Sequence, residues 1–236
     1  MKPKRIAAEV IAKLRKASSA ARRAKNEKYF PSAQAVLGVD AAGIRAVERD
    51  LKKRLAGAGA REVYEIALAI IGAGTVEGRQ VAYEILAGHK GAVEALGLEE
   101  VLALGEGMDN WVSVDTFAVL VAGPAWRERR IPDSAVRAWT RSEDRWWRRA
   151  ALVSTVALNL KSRGGRGDEA RTLAICKRLA ADHDDMVAKG LSWALRELSK
   201  RGRAPVERFL AEHEEDLPAR VLREVRRKIK TGRKYG

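Results

Sequence analysis

Apolar residues recur every three to four positions along almost the whole chain, and no stretch of comparable strength alternates with period two. Such a pattern buries its apolar stripe only as a helix packed on other helices. The expected fold is therefore all-α. Residues 40–55, 60–71, 77–87, 98–104 and 111–121 carry the pattern in the first half. Residues 133–139, 146–160, 168–181, 186–201, 205–213 and 217–230 carry it in the second. At the N-terminus one helix is expected from Pro3 to about Ala24, with Ile6, Val10, Ile11 and Leu14 on one face and cations on the other. Asn26 to Gly38, where Pro31 and Gly38 act as breakers around Tyr29 and Phe30, is expected as a packed connector with a short helix. Only six prolines interrupt 236 residues, and a hydrophobic content of 46% is ample for a buried core.

The second half is weakly self-similar. Arg145 to Leu160 (RWWRRAALVSTVALNL) and Asp185 to Lys200 (DMVAKGLSWALRELSK) each follow an acidic turn and carry a basic residue near the helix start. Aligned, they place Arg149 on Lys189, 40 residues on, within the usual period of helical-hairpin repeats. A third copy, Pro218 to Lys230, places Arg220 there after 31 more residues. Stacked helix pairs of this kind make a curved solenoid with one concave face. Equivalent positions of successive repeats then share a surface, and Arg149, Lys189 and Arg220 are expected to form a basic track. Arg79 is a poorer fourth member.

The charge balance says what such a track would meet. Forty-six Lys and Arg against 31 Asp and Glu give +15 at pH 7 and a pI near 10.2. The leading partner is a polyanion, because a concentrated positive surface gains affinity by releasing counterions condensed on phosphates. An anionic membrane is the rival, with the amphipathic N-terminal stretch as its anchor. No apolar run reaches the length of a membrane span, and the N-terminus lacks the apolar core of a secretory signal, so no membrane partner is expected. One cysteine, Cys176, excludes an internal disulfide and a cysteine-based zinc cluster and suggests a reducing, cytoplasmic setting. His89, His183 and His213 lie scattered with no metal-ligand spacing and are expected at the surface. No metal or cofactor is expected.

Trp111 and Asp115 stand four residues apart, on one face of an expected helix, one turn apart. Aligning Asp109 with Asp144 brings Asp115 within one residue of the position of Arg149. An acid thus stands where other units offer a cation. In a groove holding DNA it repels the ligand, so its presence needs a reason. Surrounding cations would keep it ionised. An ionised carboxylate beside a tryptophan suits the stabilisation of positive charge on a deoxyribose as a glycosidic bond breaks.

The motifs WVSVD (Trp111 to Asp115), WRRAA (Trp147 to Ala151) and KGLSWALRELSK (Lys189 to Lys200) resemble the AlkD-like family of DNA alkylation repair proteins, the HEAT-like-repeat DNA glycosylases. A looser similarity runs from Tyr29 through VLGV (Val36 to Val39) to the C-terminal basic helix, so the resemblance covers most of the chain. It implies a C-shaped HEAT-like solenoid with a basic concave face, one domain over 1–236 with an N-terminal helical cap to about residue 57 and repeats over 58–236. It also implies hydrolysis of the N-glycosidic bond of cationic alkylpurines such as 3-methyladenine and 7-methylguanine in base excision repair. The base leaves neutral, so no general acid is needed, and it is not enclosed in a pocket. By that resemblance Asp115 is the catalytic carboxylate, Trp111 and Trp193 pack against the lesion's deoxyribose, and Arg149 holds the neighbouring phosphate. Arg148, Lys189, Arg220 and Tyr29 are further expected DNA contacts. The partner implied is double-stranded DNA containing alkylated bases, met by a monomer in the cytoplasm, nucleoid-associated if the host is bacterial. Two features depart from the family's pattern: Val112, where relatives often have a polar residue, and the Gly/Arg-rich loop Ser162 to Gly167, a DNA-contacting loop or a flexible linker. The alternatives are a non-catalytic repeat protein for damaged or branched DNA, with salt-sensitive binding that survives loss of Asp115, and a protein-binding scaffold.

Overall fold

A computed structural model describes residues 2–233, and among them no β-strand occurs; two isolated bridges, Ser18 to Val39 and Ala35 to Thr75, are the extended pairings. The chain gathers into two compact units divided between Val121 and Ala122.

The first unit contains α1 (Pro3–Lys16), α2 (Ala20–Tyr29), α3 (Ala41–Leu55), α4 (Ala60–Ile71), α5 (Val76–Ala87), α6 (Lys90–Glu94), α7 (Leu98–Gly105) and α8 (Trp111–Phe117). Helix α4 packs on α1 and α5, and α5 in turn packs on α3 and α8. The apolar stripe of α1, Ile6, Ala7, Val10, Ile11 and Leu14, is buried. A membrane anchor would need that face, and it is used in the core.

The single helix expected from Pro3 to Ala24 is in fact two. Ser19 breaks it: its hydroxyl accepts the Arg22 N–H and caps α2, while its own N–H donates to the Gly38 carbonyl at 3.0 Å. Helix α2 has no buried residue. It runs to Tyr29, so the helical part of the expected connector belongs to α2, and no helix follows before Asp40. Gly38 is required at the crossing, because its φ is +78° and a Cβ there would lie 2.5 Å from the Arg23 nitrogen.

The second unit contains α9 (Gly123–Arg127), α10 (Asp133–Trp139), α11 (Arg145–Asn159), α12 (Glu169–Arg178), α13 (Asp185–Leu198), α14 (Arg203–Glu212) and α15 (Ala219–Thr231). Helix α11 packs on α13 and α13 on α15, forming an inner row, while α10, α12 and α14 each lean on the row from the preceding position in the chain. This is the helix-pair repeat read from the sequence. The repeat starts alike: Asp144 and Asp184 each accept the backbone N–H two residues on. Helix α9 lies outside the expected spans; Pro124 stands in its first turn, where a proline favours a helix start. Between α8 and α9 the backbone forms a π-helical segment, Ala118–Ala122.

The Gly/Arg-rich loop is bonded along its length. The Gly165 and Gly167 N–H groups donate to the Leu160 and Leu158 carbonyls, each at 2.9 Å, Arg127 donates to the Arg163 carbonyl, and Arg201 to that of Gly165. A Cβ on Gly165 would meet backbone below 3 Å, so the glycine content serves close packing as well as turning.

Candidate functional site

Tyr29, Trp111 and Asp115 lie in the first unit; Arg148, Arg149, Lys189, Trp193 and Arg220 lie in the second. Each group has its own geometry.

In the first unit, Asn110 caps α8 by accepting the Ser113 N–H at 2.9 Å, which sets Trp111 as the first helical residue and Asp115 as the fifth. Both side chains line a cleft of about 390 Å³ whose walls include Phe30, Val112, Arg22 and Gln80. One wall is aromatic. The Trp111 ring stands edge-on to Tyr29 at 5.4 Å and to Phe30 at 6.2 Å, and its indole N–H reaches the Tyr29 carbonyl at 3.4 Å. Tyr29 itself remains 69% exposed. Val112, with Trp111, packs against a small core of Phe30, Val36 and Val76, so this departure from the family's pattern lies in the apolar backing of the cleft.

Two carboxylates hold these walls. Buried Glu77, in the first turn of α5, accepts the N–H groups of Leu37 at 2.9 Å, Gly38 at 2.7 Å and Val39 at 3.3 Å. Asp109 accepts from the Ser32 hydroxyl at 2.6 Å, the Ala33 N–H and the Asn110 amide at 3.0 Å. Burial opposes charge on Asp109, but these bonds together outweigh it and hold the carboxyl below its usual value. Thus the connector carrying Phe30 is fastened at both ends to the helices that carry the cleft. The sequence reading missed both residues. A Glu in a first turn looks like ordinary dipole compensation, and its partners lie 38 to 40 residues away.

In the second unit two cations share one register. Arg149 and Lys189 are each the fifth residue of their helix, as Asp115 is of α8. Arg220 is the second residue of α15, so the third copy is out of step by most of a turn. The fifth residue of α5 is Gln80, which lines the cleft with Asp115. Arg79 is not the fourth member of the track: it is buried and donates to Tyr83, the Leu104 and Glu106 carbonyls and Gln34.

Arg149 is only 5% exposed, its guanidinium donating to the Met186 carbonyl and its stem lying against Gly190. Lys189 pairs with Asp185 at 2.6 Å, and Arg220 reaches the same carboxylate at 3.3 Å. Trp193 is half-buried on α13, one turn beyond Lys189. Arg148 pairs with Asp182 at 2.7 Å and donates to the Ser142 and Glu143 carbonyls, so it fastens the turn before α11 to the turn before α13. His89 is a cap and not a bystander: its Nδ1 accepts the Ala92 N–H at 3.0 Å while Nε2 meets the Ala58 carbonyl. Burial pushes the Cys176 thiol well up from its usual value. Among the described residues no group of three or more His, Cys, Asp or Glu side chains is placed to hold a metal ion, and no helix is long and apolar enough to cross a membrane.

The fold thus defines an all-α protein of the helical-repeat class with an aromatic, carboxylate-bearing cleft in its first unit and clustered cations in its second. Residues 10–229 match the profile of the family described as DNA alkylation repair enzyme, and the chain belongs to that family. A solved structure described as a predicted DNA alkylation repair enzyme from Enterococcus faecalis is similar over 91% of this chain and 97% of that one, with a TM-score of 0.71 and 19% sequence identity. No curated protein matches.

Proposed function

We propose that the protein is a monofunctional DNA glycosylase that hydrolyses the N-glycosidic bond of cationic alkylpurines in double-stranded DNA, as a monomer and without enclosing the base. One observation carries the reading in a chain of this family: Asp115 and Trp111 line a single cleft, one helical turn apart, beside the exposed ring of Tyr29. The bond to an N-alkylated purine breaks with its electron pair passing to the base, which leaves neutral. The deoxyribose is left positive at C1′. Asp115 stabilises that charge electrostatically and orients the water that adds to C1′; the water's proton passes to solvent. Trp111 and Trp193 pack against the sugar. Arg149, preset by the Met186 carbonyl, holds an adjacent phosphate, with Arg148, Lys189, Arg220 and Tyr29 as further contacts to DNA.

The test is base release from methylated duplex DNA. Asp115→Asn, which keeps the shape and removes the charge, is expected to lower the single-turnover rate by about 10²- to 10³-fold, with duplex affinity kept or raised. Undiminished release by the variant, or none by the wild type, would refute the proposal; the second result with retained binding would favour a non-catalytic DNA-binding protein.

A further inference from the structure

Two cations of the second unit, Lys189 and Arg220, meet at one carboxylate. Asp185, the first residue of α13, lies 2.6 Å from Lys189 Nζ on its own helix and 3.3 Å from Arg220 Nη2 on α15. Arg149 on α11 also lowers its pKa, after the dominant hydrogen bond from Lys189. Helices α13 and α15 thus bring positive charge to one point, and the Asp185 side chain there is 55% exposed. The other acid facing Arg220, Glu224, is nearly buried and accepts a 2.6 Å hydrogen bond from Ser192.

A carboxylate taking one ammonium and one guanidinium offers them what two phosphate oxygens would. Lys and Arg side chains otherwise sample many rotamers, and fixing them on binding weakens affinity. Asp185 fixes them beforehand, in solvent, where a phosphate can reach them.

We infer that Asp185 is a built-in surrogate for a DNA phosphate: it holds Lys189 and Arg220 where a phosphodiester will bind and gives them up to that phosphodiester. The inference rests on the reading of these residues as DNA contacts. It makes Asp185 a positioning residue that also competes with the ligand, so it weakens the hold on every duplex and speeds departure from undamaged sites.

Affinity for an undamaged duplex across a salt series tests this in the intact chain. Asp185→Asn is expected to bind about three- to tenfold more tightly at low salt, the effect of one charge pair a few ångströms apart in water, and its log Kd against log salt should steepen by about 0.9. Asp185→Glu should resemble the wild type, and Glu169→Gln, an exposed acid on α12, should change affinity less than about twofold. In a Lys189→Ala background most of the gain should vanish. Equal or weaker binding by Asp185→Asn, with an unchanged circular dichroism spectrum, overturns the inference. So does a gain that persists in the Lys189→Ala background, which marks a general surface charge. No DNA binding by any variant overturns the parent reading as well.

Discussion

Replacing Glu77 by alanine would leave three backbone donors of the connector before α3 without their acceptor at once. The N–H groups of Leu37, Gly38 and Val39 all donate to this one buried carboxylate, at 2.7 to 3.3 Å. Each buried donor left without a partner costs about 1–3 kcal/mol, less where water can enter. Water can reach this connector from the cleft that Glu77 helps line, so about 3–5 kcal/mol for the three is the expected loss. Against the roughly 5–15 kcal/mol that holds a domain together, that is about a fifth or more. Glu77→Gln should cost less, about 1–3 kcal/mol. Its carbonyl can replace Oε1, which takes Gly38 and Val39, while its NH₂ then opposes the Leu37 N–H. Urea titration followed by circular dichroism reads the stability. At a slope of about 1.5 kcal/mol/M, Glu77→Ala should lower the midpoint of the first unit by about 2–3 M. Hydrogen exchange at Leu37, Gly38 and Val39 localises the effect, with protection at these amides lost first. A loss below about 1 kcal/mol, with these amides still protected, would refute the claim that this carboxylate holds the cleft wall.

Asp109 gives a pH signature. Its carboxyl sits below the ordinary value of 3.8, so its stabilising contribution is present above that pH and is lost as pH falls through the lower folded-state value. The melting temperature of the wild type should therefore fall more steeply below about pH 4 than that of Asp109→Asn; parallel profiles would contradict the assignment. Arg148, expected from the sequence as a DNA contact, is engaged by Asp182 and two carbonyls. Arg148→Ala should cost about 2–3 kcal/mol in chemical denaturation, and any loss of DNA affinity should be accompanied by that loss of stability. Weakened binding with unchanged stability would refute the fastening role and leave Arg148 as a DNA contact alone.

Most helices were legible because their signals are local. The stripes of α4 and α10 coincide with the expected spans of residues 60–71 and 133–139, and the caps Asp40, Asp144 and Asp184 mark helix starts that adjacent residues already announce. Where a signal depended on contact, the sequence misled. Ser19 looks like any small residue until Gly38 packs beside it, and Pro124 looks like a stop until its position in the first turn of α9 is known. The candidate cleft divides the same way. Trp111 and Asp115 could be placed on one face by counting, and their motifs carried the resemblance to the family.

What the sequence by itself determined was the helical class, the repeat in the second half, the excess of positive charge and the family. Each follows from residue identity and short spacing, which no later packing alters. Tertiary structure alone decided what each charge pairs with. Arg79 and Arg148 carry the same guanidinium as Arg220, yet buried carbonyls claim the first and the turns before α11 and α13 the second, while Arg220 and Lys189 stay at the surface on Asp185. What a charged side chain does is set by the dielectric and partners around its head group, and for Arg79, Arg148 and Arg220 a decisive partner comes from a segment more than twenty residues away.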